Sequence, residues 1–86
     1  MTYRILIHKS AVSFLRQLDS RLRENIVEHL KQLADFPRVR LDVVKIAGEE
    51  NTFRLRVGKY RVLFRIYEEE KVIVIVKVDL RRRIYK

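Results

Sequence analysis

The sequence predicts an α+β fold: an N-terminal strand, a two-helix hairpin, and then a mainly antiparallel sheet of about four further strands with the helices on one face. Two patterns predict it. Apolar residues recur at helical spacing between residues 11 and 34, and they alternate with polar residues from residue 53 onward. Helices that precede a run of strands are typical of an antiparallel sheet, because a parallel sheet needs alternating strands and helices. A length of 86 residues indicates a single domain over residues 1–86.

The first half of the chain supplies one strand and both helices. The strand is predicted over residues 2–8, where apolar and polar side chains alternate. Ser10 is a suitable N-cap for the first helix, since its hydroxyl can accept a hydrogen bond from a free backbone N–H group. Either residue of the Asp19-Ser20 pair can cap the second helix. That helix is expected to end near residues 35–36, because Pro37 disfavours the helical conformation of the residue before it.

The second half reads as strands separated by turns. Residues 38–48 contain a short irregular strand, and a turn over residues 48–51 leads into a hairpin over residues 53–66. The acidic turn Glu68–Glu70 precedes the last strand, predicted over residues 71–79. Its nearly continuous run of Val and Ile suits a strand that is buried on both faces.

The hairpin has one apolar face and one cationic face. Its arms are joined only by the Gly58-Lys59 pair, which is typical of a type I′ or II′ turn and therefore fixes the register. The expected pairs are Val57 with Tyr60, Arg56 with Arg61, Leu55 with Val62, Arg54 with Leu63 and Phe53 with Phe64. Lys77 and Asp79 lie on the same face of the last strand. Whether that face is also the face of Arg61 depends on the length of the turn at Glu68–Glu70.

Two arginines directly opposite each other on one face repel, which costs roughly 0.2–1 kcal/mol. A phosphate bound between the guanidinium groups of Arg56 and Arg61 would remove that cost, because arginine forks match phosphate geometry. We favour this interpretation over a solvated basic face that merely keeps the sheet soluble.

The composition narrows the classes of partner and of chemistry. A formal net charge of +9 implies an acidic partner: nucleic acid, an anionic membrane surface or an acidic protein. Since there is no cysteine, disulfides and thiolate chemistry are excluded, which fits a reducing compartment. No N-terminal signal segment is apparent, and the longest apolar run, residues 72–76, is too short for a membrane span of about 20 residues.

The sequence does not predict a metal centre or a nucleophilic triad. The only histidines, His8 and His29, lie on different elements without a nearby second ligand, and both have structural explanations. With only Gly48 and Gly58, the chain has no Gly-rich phosphate loop. Arginines and a tyrosine remain, and these suffice to hold a phosphodiester and stabilise its transition state. RNA cleavage needs no metal when the adjacent 2′-hydroxyl is the nucleophile.

Two stretches carry a resemblance to a known family: FRLRVGKYRVLFRI over residues 53–66 and VKVDLRRRIYK over residues 76–86. The pattern is a basic–apolar–basic strand, a tight turn before Lys-Tyr-Arg, a Val-rich strand, and then arginines with a near-terminal tyrosine. In this pattern the chain resembles the RelE branch of the RelE/ParE toxins of bacteria and archaea. The resemblance extends over essentially the whole chain.

The resemblance implies the toxin of a type II toxin–antitoxin system. Such a toxin is a cytoplasmic endoribonuclease that cleaves messenger RNA in the ribosomal A site, by 2′-hydroxyl attack, and so inhibits translation. It needs no cofactor and no metal. The implied partners are the ribosome with its message and an acidic RelB-like antitoxin, in a toxin–antitoxin hetero-oligomer without a membrane.

Matching motif positions also assigns roles to individual residues. The implied catalytic residues are Arg56, Arg61, Arg81 and Tyr85. The implied RNA- and phosphate-binding residues are Arg54, Arg65, Arg82 and Arg83. Arg61 corresponds to a phosphate-binding arginine, and we expect it on the strand surface, where it would support little packing. Arg81 would assist the leaving oxygen, and Tyr85 would stack on a base or exchange a proton.

One departure from the family pattern limits the chemistry. Family members often carry lysine where this chain has Arg54 and Arg56. Because an arginine side chain effectively cannot lose its proton, Arg56 is a poor general base, and its expected role is electrostatic. Tyr85, the ribosome or solvent would then accept the 2′-hydroxyl proton.

Two other functions fit the same residues. A ParE-like toxin shares the fold but binds DNA gyrase instead of cutting RNA. A non-catalytic nucleic-acid-binding module would show strongly salt-dependent binding and no growth arrest on expression.

Overall fold

The computed structural model describes residues 2–80, and the structural statements below concern that part of the chain. The elements are β1 (Arg4–Ile7), α1 (Lys9–Arg16), α2 (Ser20–Gln32), a 3-10 turn (Leu33–Asp35), β2 (Asp42–Lys45), β3 (Thr52–Val57), β4 (Tyr60–Tyr67) and β5 (Val72–Leu80). The strands form one sheet in the order β1-β5-β4-β3-β2. Strand β1 is parallel to β5, and the other neighbours are antiparallel. The predicted α+β fold is confirmed.

Both helices begin at a side-chain cap. The N-cap of α1 is His8 and not the predicted Ser10: the ring Nδ1 of His8 accepts a hydrogen bond of 3.1 Å from the backbone N–H of Ser10, which already lies in the first turn. Asp19 caps α2 as predicted, and its Oδ1 accepts from the backbone N–H of Leu22 at 3.0 Å. The last turn before Pro37 is a 3-10 turn, so the α-helix ends slightly earlier than expected.

The hydrophobic core lies between the helices and one face of the sheet. Its fully buried side chains include Ile26, Leu30, Leu33, Leu55, Val62, Phe64, Ile73 and Ile75. Phe36, which follows the 3-10 turn, packs edge-on against Phe53 and Phe64 at ring-centroid distances of 5.4 and 5.9 Å. Phe14 of α1 contacts Tyr60 edge-on at 6.1 Å. The alternating apolar residues of β3 and β4 therefore face the helices, which leaves the other face of the sheet, here called the open face, to the polar set.

A β-bulge in β5 decides which of its residues reach the open face. Leu63 of β4 is opposite Lys77, whereas the next residue, Phe64, is opposite Ile75. Val76 is therefore an extra residue in β5. In a strand without the bulge, strict alternation would put Lys77 on the same face as Ile75, which is fully buried in the core. The extra residue reverses the alternation, so the charged end of β5 faces away from the core.

No helix of the described residues has the length and the apolar content that crossing a membrane requires.

Candidate phosphate-binding face

The hairpin between β3 and β4 has the predicted register. All five predicted pairs are present: Val57 with Tyr60, Arg56 with Arg61, Leu55 with Val62, Arg54 with Leu63 and Phe53 with Phe64. Gly58 has φ +59 whereas Lys59 keeps a negative φ, which corresponds to a type II′ turn. The register places Arg54, Arg56, Arg61 and Arg65 on the open face.

Four charged residues from four strands lie at one level of the open face. Asp42 of β2 is opposite Arg56, Arg56 is opposite Arg61, and Arg61 is opposite Asp79 of β5. We call this set the charged rung. Each arginine of the like-charged pair thus has a carboxylate as its other cross-strand neighbour. Repulsion between the arginines is offset within the sheet, so the pair does not by itself require a bound anion.

Arg56 is held by Asp42 while its guanidinium stays accessible. The Nε–H of Arg56 donates to Oδ2 of Asp42 at 2.5 Å. The side chains are 54% and 45% exposed, respectively. An arginine has five N–H donors in a rigid plane, so a bond at Nε leaves the donors of the two terminal amino groups for a second acceptor. Arg56 can therefore bind phosphate from solvent without breaking its bond to Asp42.

Arg61 is not the surface residue that the sequence predicts. It is only 3% exposed. Its Nη1 donates to the backbone oxygen of Tyr60 at 3.2 Å and to that of Gly58 at 3.5 Å. Burial of a charge is costly unless hydrogen bonds satisfy it, and these carbonyls of the hairpin turn supply part of that satisfaction. Arg61 thus contributes to the hairpin structure, contrary to the expectation that it supports little packing.

Arg65 lies at the opposite end of the open face. It is four residues from Arg61, about 13 Å along the strand at about 3.3 Å per residue. Its Nη2 is 3.6 Å from Oε1 of Glu49, and both side chains are about half exposed. Arg65 also lines a cleft of about 550 Å³, here called the acidic cleft, whose carboxylates are Glu49, Glu50, Glu68, Glu69 and Glu70. The fold therefore separates Arg65 from the charged rung.

Arg54 and Lys77 lie next to the charged rung. Both are neighbours of Leu63, on opposite sides, because β4 runs between β3 and β5. Lys77 is exposed and Arg54 is half-buried. The sequence did not decide whether Lys77 lies on the same face as the arginines. No residue type within the run of Val and Ile marks the position of the bulge at Val76.

The remaining predicted site residues are not in the described part. Arg81, Arg82, Arg83 and Tyr85 lie outside residues 2–80, and their roles stay predictions. Strand β5 ends at Leu80, opposite Tyr60 and next to the charged rung. In the described part of the chain, no group of three or more His, Cys, Asp or Glu side chains is placed to hold a metal ion.

Tyr3 is a titratable residue near the acidic cleft, at the end of the sheet that contains Arg65; we call this end the acidic end. Its hydroxyl donates a hydrogen bond to Oε1 of Glu68, and Nζ of Lys71 lies 5.8 Å from its ring centroid. The hydrogen bond to Glu68 is the main cause that raises the pKa of Tyr3 above its ordinary value, and burial and the charge of Glu68 act in the same direction. This residue stabilises the loop between β4 and β5 and has no place in the candidate site.

Comparison with known proteins gives a consistent result over the whole chain. A family model described as the ParE toxin of type II toxin–antitoxin systems, parDE, matches residues 5–85. Toxin RelG of Mycobacterium tuberculosis is 35% identical over 88 residues, which cover 100% of this chain and 99% of that protein. The mRNA interferase toxin RelE of Escherichia coli is 24% identical over 83 residues, with 96% of this chain and 87% of that protein covered.

A solved structure shows the same fold at higher identity. The archaeal RelE–RelB complex from Pyrococcus horikoshii OT3 contains a chain that is 36% identical, with a TM-score of 0.82. The match covers 96% of this chain and 99% of that chain. The β-α-α-β order with the helices on one face of the sheet is therefore shared by two sequences that differ at most positions.

Proposed function

Since the chain belongs to the ParE/RelE family of toxins of type II toxin–antitoxin systems, we propose that it is an endoribonuclease that cleaves messenger RNA on the ribosome. The observation that carries the proposal is the half-exposed guanidinium of Arg56, presented on a rigid strand with its terminal donors available. The E. coli relative that bears the name mRNA interferase supports the same reaction. The place of action is then the cytoplasm, where the ribosomes are.

The proposed reaction is an intramolecular transesterification of the RNA. The 2′-oxygen bonds to the adjacent phosphorus, the bond from phosphorus to the 5′-oxygen breaks, and a cyclic phosphate remains. The 2′-hydroxyl proton leaves to Tyr85, the ribosome or solvent. The 5′-oxygen takes up a proton from solvent while Arg81 assists it with a hydrogen bond. Arg54 and Arg56 hold the phosphate and stabilise the negative charge that develops on its oxygens. Arg82 and Arg83 would follow the RNA backbone.

Arg61 has a different part in this proposal from Arg56. Because it is buried and bonded to the carbonyl of Tyr60, it raises the local positive potential from inside the sheet. Charge in a site of low dielectric acts more strongly than the same charge in water. Arg61 also keeps the hairpin in shape, so both the site and the fold depend on it. Arg65, at the acidic end, would contact RNA only outside the reacting nucleotides.

An acidic RelB-like antitoxin is the proposed inhibitor. The P. horikoshii chain is found in a complex with RelB, and the net charge of +9 here favours an acidic partner. Negative side chains of such an antitoxin would cover the open face and compete with RNA for Arg54 and Arg56. The toxin and antitoxin would then form a hetero-oligomer.

Programmed ribosomes test the proposal directly. The purified protein is incubated with ribosomes that carry a defined message, and cleavage is mapped by primer extension. We expect cuts in the A-site codon with wild type and almost none with Arg56→Ala. Message that stays intact at full ribosome occupancy would contradict the proposal.

A second candidate function follows from the family model, whose description names the ParE toxin. A ParE-like toxin would inhibit DNA gyrase. Supercoiling by purified gyrase in the presence of the protein distinguishes the two: inhibition with intact message would favour the gyrase function.

A further inference from the structure

We infer that Asp42 is a positioning residue, which orients the guanidinium of Arg56 for the phosphate of the RNA. The inference deepens the proposed function and rests on it. Nothing in the family pattern or in the hairpin sequence marks Asp42, which lies on the separate edge strand β2. It becomes a neighbour of the site only through the pairing of β2 with β3.

The hydrogen bond between Asp42 and Arg56 fixes the orientation of the guanidinium. Oδ2 of Asp42 accepts from Nε–H of Arg56 at 2.5 Å, across a pair of directly opposed residues. Because the guanidinium is planar and rigid, an acceptor at Nε determines where the terminal amino groups point. Those amino groups form the fork that matches phosphate.

The other side of Arg56 explains why such a restraint is needed. Arg61 is directly opposite Arg56 and is almost fully buried, so its guanidinium repels that of Arg56 from within the sheet. A long, half-exposed side chain would otherwise turn away into solvent. Attraction by Asp42 on one side and repulsion by Arg61 on the other restrict Arg56 to the rung.

The carboxylate of Asp42 also reduces the positive charge by which the open face attracts RNA of any sequence. The open face carries Arg4, Arg54, Arg56, Arg61, Arg65 and Lys77 as cations, with Asp42 and Asp79 as anions. If Asp42 only diluted the positive charge, its removal would strengthen RNA binding and cleavage together. If Asp42 positions Arg56, its removal strengthens or preserves binding but slows cleavage. The two roles therefore predict opposite changes in rate.

The chain contains a matched control at the other end of the same sheet. Glu49 pairs with Arg65 at a looser 3.6 Å, with similar exposure of both side chains. The substitution Glu49→Gln removes one negative charge and one exposed ion pair, as Asp42→Asn does. It does so far from the charged rung, so it reports the general effect of charge without the positioning effect.

The experiment measures cleavage of message on programmed ribosomes by Asp42→Asn, Asp42→Glu and Glu49→Gln, with the ribosome concentration varied. Asp42→Asn is expected to lower kcat about tenfold with KM unchanged or lower, because misorientation costs rate and not affinity. Asp42→Glu keeps a carboxylate and should restore more than half of kcat. Glu49→Gln should keep kcat within about twofold of wild type. Asp42→Ala, which leaves no acceptor for the Nε–H of Arg56, should lower kcat at least as much as Asp42→Asn, whose amide oxygen can still accept a weaker bond.

A double-substitution cycle separates failure of this inference from failure of the proposed function. In an Arg56→Lys background, which has no Nε–H for Asp42 to orient, Asp42→Asn should change kcat less than twofold further. A full tenfold effect in that background, or wild-type kcat for Asp42→Ala alone, would overturn the positioning role. Wild-type activity of Arg56→Ala would instead overturn the proposed site.

Discussion

The two ends of the open face carry the same kinds of side chain in opposite arrangements. Next to the hairpin turn, arginines lie in the middle of the sheet and carboxylates lie outside them, in the charged rung. At the other end, glutamates in the turns between strands surround Arg65. Both ends contain an exposed arginine–carboxylate pair. They differ in what lies opposite: Arg56 has a buried cation next to it, whereas Arg65 is opposite the buried Thr52.

That difference shows what makes a cationic surface into a site. A single exposed ion pair contributes only about 0–1 kcal/mol to stability and attracts a phosphate weakly. A second cation held inside the sheet acts on a bound phosphate through a lower dielectric than water, although Asp79 opposite it offsets part of its charge. The end next to the hairpin turn therefore combines a buried cation, Arg61, with an accessible hydrogen-bond donor, Arg56, and the acidic end has no such combination among the described residues.

The largest expected difference between the two ends is in cleavage rate. Arg56→Ala should lower the rate of message cleavage by about a hundredfold or more, which is typical for loss of a donor to a developing oxyanion. Arg65→Ala should lower it less than about threefold. The measurement is single-turnover cleavage on programmed ribosomes. Equal losses for both variants would remove the distinction between the two ends.

Stability should distinguish the buried arginine from the exposed one. Arg61→Ala is expected to lower the free energy of unfolding by about 2–3 kcal/mol, because it leaves hairpin carbonyls without their donor and opens space in the sheet. Arg65→Ala should lower it by less than about 0.5 kcal/mol. Urea unfolding followed by circular dichroism measures both. An Arg61→Ala protein as stable as wild type would show that the hairpin does not depend on this residue.

Binding of the proposed acidic antitoxin should follow the same asymmetry. Charge reversal by Arg56→Glu is expected to weaken the complex about tenfold at low salt, and less at high salt, because exposed charges are screened. Glu69→Lys at the acidic end should leave the affinity within about threefold of wild type. Isothermal titration at two salt concentrations measures both. Stronger effects at the acidic end would place the antitoxin there.

The smallest expected effect concerns the pH dependence of stability at the acidic end. The folded protein raises the pKa of Tyr3, chiefly through its hydrogen bond to Glu68, so the native state holds that proton more tightly than the unfolded state. Stability from this contact is present below the ordinary tyrosine pKa of about 10 and is lost as the pH rises further. Tyr3→Phe should abolish the loss of stability that this contact causes at high pH. Comparing the free energy of unfolding of both proteins at about pH 8 and about pH 11 measures it. An unchanged profile would contradict the contact.

Much of the candidate site was predictable from local pattern. Gly58 and the alternation around it determine the hairpin register, because a two-residue turn admits only one pairing. Arg54 and Arg56 follow from period-two geometry on the polar face of β3. The helices follow from their apolar spacing and from Asp19, although the cap of α1 is His8 because a ring nitrogen two residues before Ser10 serves as the acceptor.

Local pattern along the chain was enough to predict the α+β order, the hairpin register and the row of arginines, since each depends on sequence neighbours or on residues across one turn. Three further features came from the folded molecule alone: Arg61 is buried, Asp42 bonds Arg56, and the bulge at Val76 turns the end of β5 toward the open face. These features depend on how separate strands pair over a shared core. That pairing is set by the total packing of large side chains and not by any local pattern.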